Sequence, residues 1–167
     1  MKHKHTLSIS VRNRFGALTR IAGLFSGRGY NIESLTVGPT DDPDISTMTI
    51  VTIGDDAIIE QITKQLNKLV DVISVFELTG HEFVAHELML IKVQANVSNR
   101  SEIMQITDIF NASIVSIHKE ALIIEVTGST RKLDSFIELI HPFGIIELGR
   151  SGQVGLLRST KPTDLIG

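Results

Sequence analysis

One succession of hydrophobic periods is written twice along this 167-residue chain, and a chain that repeats itself in this way has to bury two similar small cores. In the first half, Leu7, Ile9 and Val11 alternate with Ser8 and Ser10, which predicts a strand with one buried face. A helical stripe of Ala17, Leu18, Ile21, Ala22 and Phe25 follows, with Arg20, Ser26 and Arg28 off that stripe and Gly27 and Gly29 to stop it. Tyr30 to Gly38 and Thr47 to Ile53 read as strands flanking the turn-rich Pro39-Thr40-Asp41-Asp42-Pro43. Asp55 or Asp56 can cap a second helix striped by Ile59, Ile62, Leu66 and Leu69, and Val72 to Leu78 closes the half as a strand. The order is βαββαβ.

The second half repeats that order. Met89, Ile91, Val93 and Ala95 mark a strand, and Asn99 with Glu102 resembles a capping box opening a helix striped by Ile103, Ile106, Ile109 and Phe110. Strands near Ser113–His118 and Ala121–Thr127 come next. Ser129 can cap a helix striped by Leu133, Phe136, Ile137 and Ile140 that ends before Pro142, and Gly144 to Leu148 is the last strand. The stretch from Ser151 to Gly167 has no strong periodicity.

Each half, at roughly 75 residues, lies near the lower limit for a core that stands alone. Two helices cover only one face of a four-stranded antiparallel sheet, and the edge strands stay open. Pairing with a second copy answers both problems. The expectation is therefore an α+β chain of two tandem ferredoxin-like βαββαβ domains, residues 1–79 and 80–167, in a homodimer or larger assembly.

Composition excludes several functions. Cysteine is absent, which removes disulfides, thiolate metal sites and Cys nucleophiles and is compatible with a reducing cytoplasm. No window approaches the roughly 20 apolar residues of a membrane span, and the first residues carry no apolar run of the signal-peptide kind. A net charge of −3 with a single Tyr and no Trp opposes a nucleic-acid surface, which needs a basic excess and stacking aromatics. No catalytic constellation stands out. Arg12 and Asn13 imitate the pair that an acyl phosphatase of this fold would need, but no anion-binding glycine loop surrounds them.

The chemistry that does stand out lies between Asn13 and Pro43. Asn13 and Gly16 fall at the start of the first helix, and Asn31 at the start of the next strand. A helix N-terminus offers unpaired N–H groups and partial positive charge to a carboxylate. Gly16 lets a ligand approach the backbone, side-chain amides can meet both ends of a zwitterion, and Ala17 and Leu18 supply an apolar wall. The bland alternative is loop punctuation by each residue separately.

These residues also carry a resemblance. N-x-x-G-A-L, then G-L-F-S-x-R-G-Y-N-I-E-S-L-T-V, then P-T-D-D-P resemble the N-terminal ACT domain of the small regulatory subunits of acetohydroxyacid (acetolactate) synthase. The likeness continues through Lys64-Gln65-Leu66-Asn67-Lys68-Leu69-Val70-Asp71-Val72 and, more thinly, through Glu87 to Val93 and Lys132 to Phe136 as far as Arg150-Ser151-Gly152-Gln153-Val154-Gly155-Leu156. It implies a non-catalytic, cytoplasmic subunit of branched-chain amino-acid biosynthesis. Such a subunit binds and activates the catalytic subunit and makes it sensitive to valine. The thiamine diphosphate, FAD and magnesium are implied for that partner, none for this chain. By match, Asn13, Gly16, Ala17 and Leu18 come from one protomer and Asn31 and Ile32 from its partner, joined through their ACT domains. Arg14-Phe15 stand where family members often carry acidic or small residues. The alternative is a free-standing amino-acid-sensing ACT protein with another partner, which leaves the second βαββαβ unit without a task.

The remaining motifs have plain readings. His3 and His5, two apart on one strand face, form a possible metal pair, but their place at the start of the chain points to a solvated role and no metal site is expected. His81 and His86 miss the H-E-x-x-H spacing by one residue. Asp41, Asp42 and Asp44 read as a solvated turn without an assigned task.

Overall fold

The computed structural model describes residues 1–159. The elements run in the order β1 (His3–Arg12), α1 (Ala17–Gly27), β2 (Ile32–Pro39), β3 (Ile45–Gly54), α2 (Asp56–Asn67), β4 (Val72–Glu77), β5 (Phe83–Gln94), α3 (Arg100–Ile109), β6 (Ser113–Ile117), β7 (Ala121–Gly128), α4 (Thr130–Ile140), β8 (Ile145–Arg150) and β9 (Val154–Leu157), with a short 3-10 turn at His141–Phe143. The first sheet has the strand order β2-β3-β1-β4 and the second β6-β7-β5-β8. By position within each repeat both orders are the same, second, third, first, fourth, and the ladders between these strands are antiparallel. These are two tandem ferredoxin-like βαββαβ domains of the ACT type, the architecture that the doubled periodicity predicts.

The first core follows the expected alternation. Leu7, Ile9 and Val11 of β1, Met48 and Ile50 of β3, Ile21 and Phe25 of α1, and Ile59, Ile62 and Leu66 of α2 are buried together. Asp55 caps α2 by accepting from the Ile58 N–H at 2.9 Å, so Asp56 becomes the first helical residue. Leu18, placed on the apolar stripe of α1 by spacing, is 42% exposed, whereas Ala17, Ile21 and Phe25 are buried. The helix presents a three-residue seam at i, i+4, i+8, and Leu18 stands beside it.

The second core packs Met89, Ile91 and Val93 of β5 and Ile124 of β7 against Ile103, Leu133, Phe136 and Ile140. Phe110 meets Phe136 edge to face at 5.3 Å, an arrangement favoured by the ring quadrupoles. Ser129 caps α4 as expected, accepting from the Lys132 N–H at 3.2 Å. The capping box at Asn99 does not form. Asn99 has helical backbone angles and its Oδ1 accepts from the Asn96 N–H at 2.8 Å, so it closes the loop before the helix instead of capping it. Ile109 is 75% exposed and Thr107 takes the buried position in its place.

The compact units are Met1–Val84 joined by the segment from Gln153, and Ala85–Gly152. The compact units divide at 84/85 where 79/80 was expected, and the described residues after Gly152, expected with the second domain, group with the first. Its attachments explain this. The Thr36 hydroxyl donates to the Gln153 carbonyl at 2.6 Å, and the Gly155 N–H donates to Thr49 Oγ1 at 3.3 Å, both on the face of the first sheet away from the helices. The earlier expectation for the final residues reaches beyond Ser159, outside the described part of the chain.

Candidate functional site

The turn from β1 into α1 is built on Gly16. Its φ of +83° is left-handed, a conformation glycine takes without strain, and it occupies the N-cap position with no side-chain hydrogen bond to the helix. The Ala17 N–H reaches the Arg14 carbonyl at 3.2 Å, and the next backbone contact at this end is Arg20 N–H to the Gly16 carbonyl at 3.0 Å. Among the described residues, the N–H groups of Leu18 and Thr19 have no acceptor. Two donors and the positive end of the helix dipole are thus left open to solvent, with the partly exposed Leu18 side chain beside them.

Asn13 is held firmly at this mouth. Its N–H donates to the Asp44 carbonyl at 2.7 Å and its side-chain amide donates to the Pro43 carbonyl at 3.1 Å. The acidic turn after β2 thereby acquires a task. Asp42 Oδ1 accepts from the Asp44 N–H at 2.9 Å and Thr40 Oγ1 binds the Asp42 and Ile45 carbonyls, so the loop is folded on itself and fixes Asn13. The Asn13 side-chain oxygen is left over as an acceptor on an exposed residue.

Sequence reasoning missed Arg20 and Asp71. The Arg20 guanidinium pairs with the Asp71 carboxylate, which is buried, and its Nη2 also reaches the Phe15 carbonyl at 3.4 Å. Asp71 in turn accepts the Arg12 N–H on its backbone carbonyl at 2.7 Å. One residue, 51 positions away from Arg20, therefore fastens both the end of β1 and the first turn of α1. The sequence signal for Arg20 was its place four residues after Gly16, off the apolar stripe.

Asn31 and Ile32 lie elsewhere. Ile32 pairs with Thr52, which also faces His5, whereas Arg12 beside the Gly16 turn faces Ile45. At roughly 3.3 Å per residue these rungs are about 23 Å apart along the strands. One amino acid cannot touch both groups within one chain. Asn31 is exposed, its carbonyl accepting from the Thr52 hydroxyl at 2.6 Å, and it opens β2, an edge strand of the sheet.

The start of β1 also departs from expectation. His5 is not solvated: it is 2% exposed, and its Nδ1 lies 2.5 Å from Glu77 Oε1 on β4. In the second unit, Arg150 of β8 is held between Glu87 at 2.6 Å and Asp134 at 2.7 Å. Burial draws the Arg150 guanidinium pKa down, but its bonds to Asp134 and Glu87 more than offset this and the net shift is upward.

Comparison with known proteins fits this geometry into a family. Residues 7–74 match the model described as an AHAS small subunit-like ACT domain, and residues 86–159 match the model of the small subunit of acetolactate synthase. A probable acetolactate synthase small subunit of Archaeoglobus fulgidus is 50% identical over 158 residues, covering 95% of this chain and 99% of the relative. The chain belongs to the acetolactate synthase small-subunit family. The isozyme 3 small subunit of Escherichia coli is 48% identical, with 95% and 98% of the two chains covered. The crystal structure of the acetolactate synthase small subunit from Thermotoga maritima superposes with a TM-score of 0.88 at 37% identity, over 95% of this chain and 99% of that one.

Membership in this family makes the chain a regulatory subunit, implies a catalytic large subunit as partner, and places the cofactors of the enzyme on that partner. The match at 86–159 runs across the point where the chain leaves the second unit, so the small-subunit pattern includes the segment that returns to the first. Among the described residues no helix is long and apolar enough to cross a membrane.

Proposed function

We propose that this chain binds the catalytic subunit of acetolactate synthase, raises its activity, and confers feedback inhibition by valine. The thiamine diphosphate, FAD and magnesium of the reaction belong to that partner in the cytoplasm. The observation that carries the effector reading is the uncapped mouth of α1, where Gly16 leaves the Leu18 and Thr19 N–H groups open next to a fixed Asn13. The valine carboxylate takes those donors, the Asn13 amide oxygen takes the ammonium, and the partly exposed Leu18 faces the isopropyl group, whereas Ala17, at 6% exposed, is spent on the buried seam of α1.

The separation of Asn31 from this mouth supports a shared site. A second copy supplies Asn31 and Ile32 at the edge strand β2, so the effector is held by a homodimer and not by one chain. Valine inhibits because it binds more tightly to a low-activity arrangement of the complex than to the active one. With about eight heavy atoms at roughly 0.5–0.8 kcal/mol each, its affinity falls in the millimolar to tens-of-micromolar range, suited to sensing a metabolite pool.

The test is acetolactate formation by the cognate catalytic subunit, with and without this chain, across a valine titration. Activation that valine reverses supports the whole reading. Activation without a valine response keeps the partner and removes the effector site. No effect from two folded chains transfers the weight to a free-standing amino-acid sensor.

A further inference from the structure

At the opposite end of the first sheet from Gly16, three side chains converge that the regulatory reading does not use. His3 and His5 stand two apart on β1 with ring centroids 4.1 Å apart, and Asp56 projects from the first turn of α2. His3 Nε2 lies 3.2 Å and His5 Nε2 3.8 Å from the same oxygen, Asp56 Oδ1, and the three atoms all lie within 4.8 Å of one another.

The other nitrogen of each ring is already committed. His5 Nδ1 is 2.5 Å from Glu77 Oε1, and His3 Nδ1 is 3.3 Å from the Met1 carbonyl. Both partners are acceptors, so a proton on Nδ1 satisfies each of them and leaves an Nε2 lone pair aimed into the cluster, where a bound ion replaces the proton that Asp56 would otherwise face. For His5 that lone pair is buried in a residue only 2% exposed, and among the described residues it has no hydrogen-bond partner. A buried acceptor left unpaired is unfavourable, and an ion at the cluster relieves it. An imidazole whose far nitrogen donates to a carboxylate is the usual dress of a metal-binding histidine, since the outer partner fixes the tautomer and raises the basicity of the ligand atom.

We propose that His3, His5 and Asp56 hold a divalent transition-metal ion of the zinc class through the two Nε2 atoms and the Asp56 carboxylate, with Glu77 behind His5 and a fourth position open to water. Two imidazoles and one carboxylate favour zinc, cobalt or nickel over calcium and magnesium, which take all-oxygen sets. In a tetrahedral shell the ligand atoms sit about 3.3 Å apart. The pair at 3.8 Å closes to that spacing by rotation of Asp56, which is exposed, while the buried His5 stays in place. The ion would clasp the start of β1 to the start of α2.

The experiment uses the full chain, stripped with a chelator and titrated with zinc by calorimetry and with cobalt by visible absorption. One ion per chain is expected, with the intense cobalt bands of a four-coordinate site, and without displacement by excess magnesium or calcium. His3→Ala and Asp56→Asn alter exposed side chains and leave the fold intact; each should weaken binding at least 100-fold. Glu77→Gln, acting through His5, should weaken it about 10- to 100-fold. Absence of one-to-one binding, or affinity that survives either His3→Ala or Asp56→Asn, overturns the proposal, whatever the folding of the Glu77 variant. Valine enters neither titration, so the outcome is separate from that of the regulatory reading.

Discussion

The guanidinium of Arg20 reaches to within 3.4 Å of the point where a Cβ on Gly16 would stand, so the residue at the mouth of α1 that lacks a side chain is also the residue backed by a cation. A carboxylate added there would be drawn to Arg20 and to the helix end together. Gly16→Asp should therefore fill the effector's place with its own carboxylate. The φ of +83° costs the variant about 1–2 kcal/mol of stability, tolerable because Asp visits this region more readily than most residues. Acetolactate assays with the catalytic subunit should show activation retained and the valine response lost; undiminished valine inhibition would remove Gly16 from the site.

Asn31→Ala examines the shared geometry. The structural bond at this position uses the Asn31 carbonyl, accepting from Thr52, and truncating the exposed side chain leaves that bond in place. Stability should change by no more than about 0.5 kcal/mol. Valine affinity by calorimetry should fall about tenfold, the loss of one polar contact of about 1.4 kcal/mol to a charged group. Wild-type affinity would mean that the second copy does not supply Asn31.

Glu87, 6% exposed, depends on Arg150 for compensation. Arg150→Met should strand a buried carboxylate and cost about 3 kcal/mol, seen as a lower denaturation midpoint. Adding Glu87→Leu to that variant should recover most of the loss, because an apolar pair needs no partner. If the double variant is no more stable than the single, the carboxylate is not what destabilises it.

Gly155→Val probes the attachment of β9. Even a Cβ at this position would stand 2.7 Å from Leu78 Cδ1, and Leu78 is itself buried. The end of the Leu78 side chain must shift to admit the valine, at a cost of about 1 kcal/mol. Urea denaturation should register that loss; a midpoint equal to wild type would show that β9 is not packed as described.

Periods of two and 3.6 residues were enough to reveal both βαββαβ units, since each core is lined by residues that repeat along single elements, such as Leu7-Ile9-Val11 or Leu133-Phe136-Ile140. What escaped depends on distant partners. His5 continues the β1 alternation into the core, yet its burial is intelligible only with Glu77, 72 residues on. Arg20 and Asp71 are an unremarkable Arg and Asp until the fold joins them. The strand β9 is four residues long and enters its place because Gly155 is small, a fit no periodicity announces. At the mouth of α1, the sequence suggested the residue types. The left-handed turn and the two open N–H groups emerged from the backbone.

The return of the segment from Gln153 to the first unit has a consequence for how the protein comes into being. A ribosome delivers the chain from its beginning, and domains begin to fold as they emerge. Here the strand that lies against Thr36 and Thr49 is made only after the whole of the second unit. Through most of its synthesis the first unit therefore waits with a bare sheet face. The half that starts to fold first is the half that is finished last.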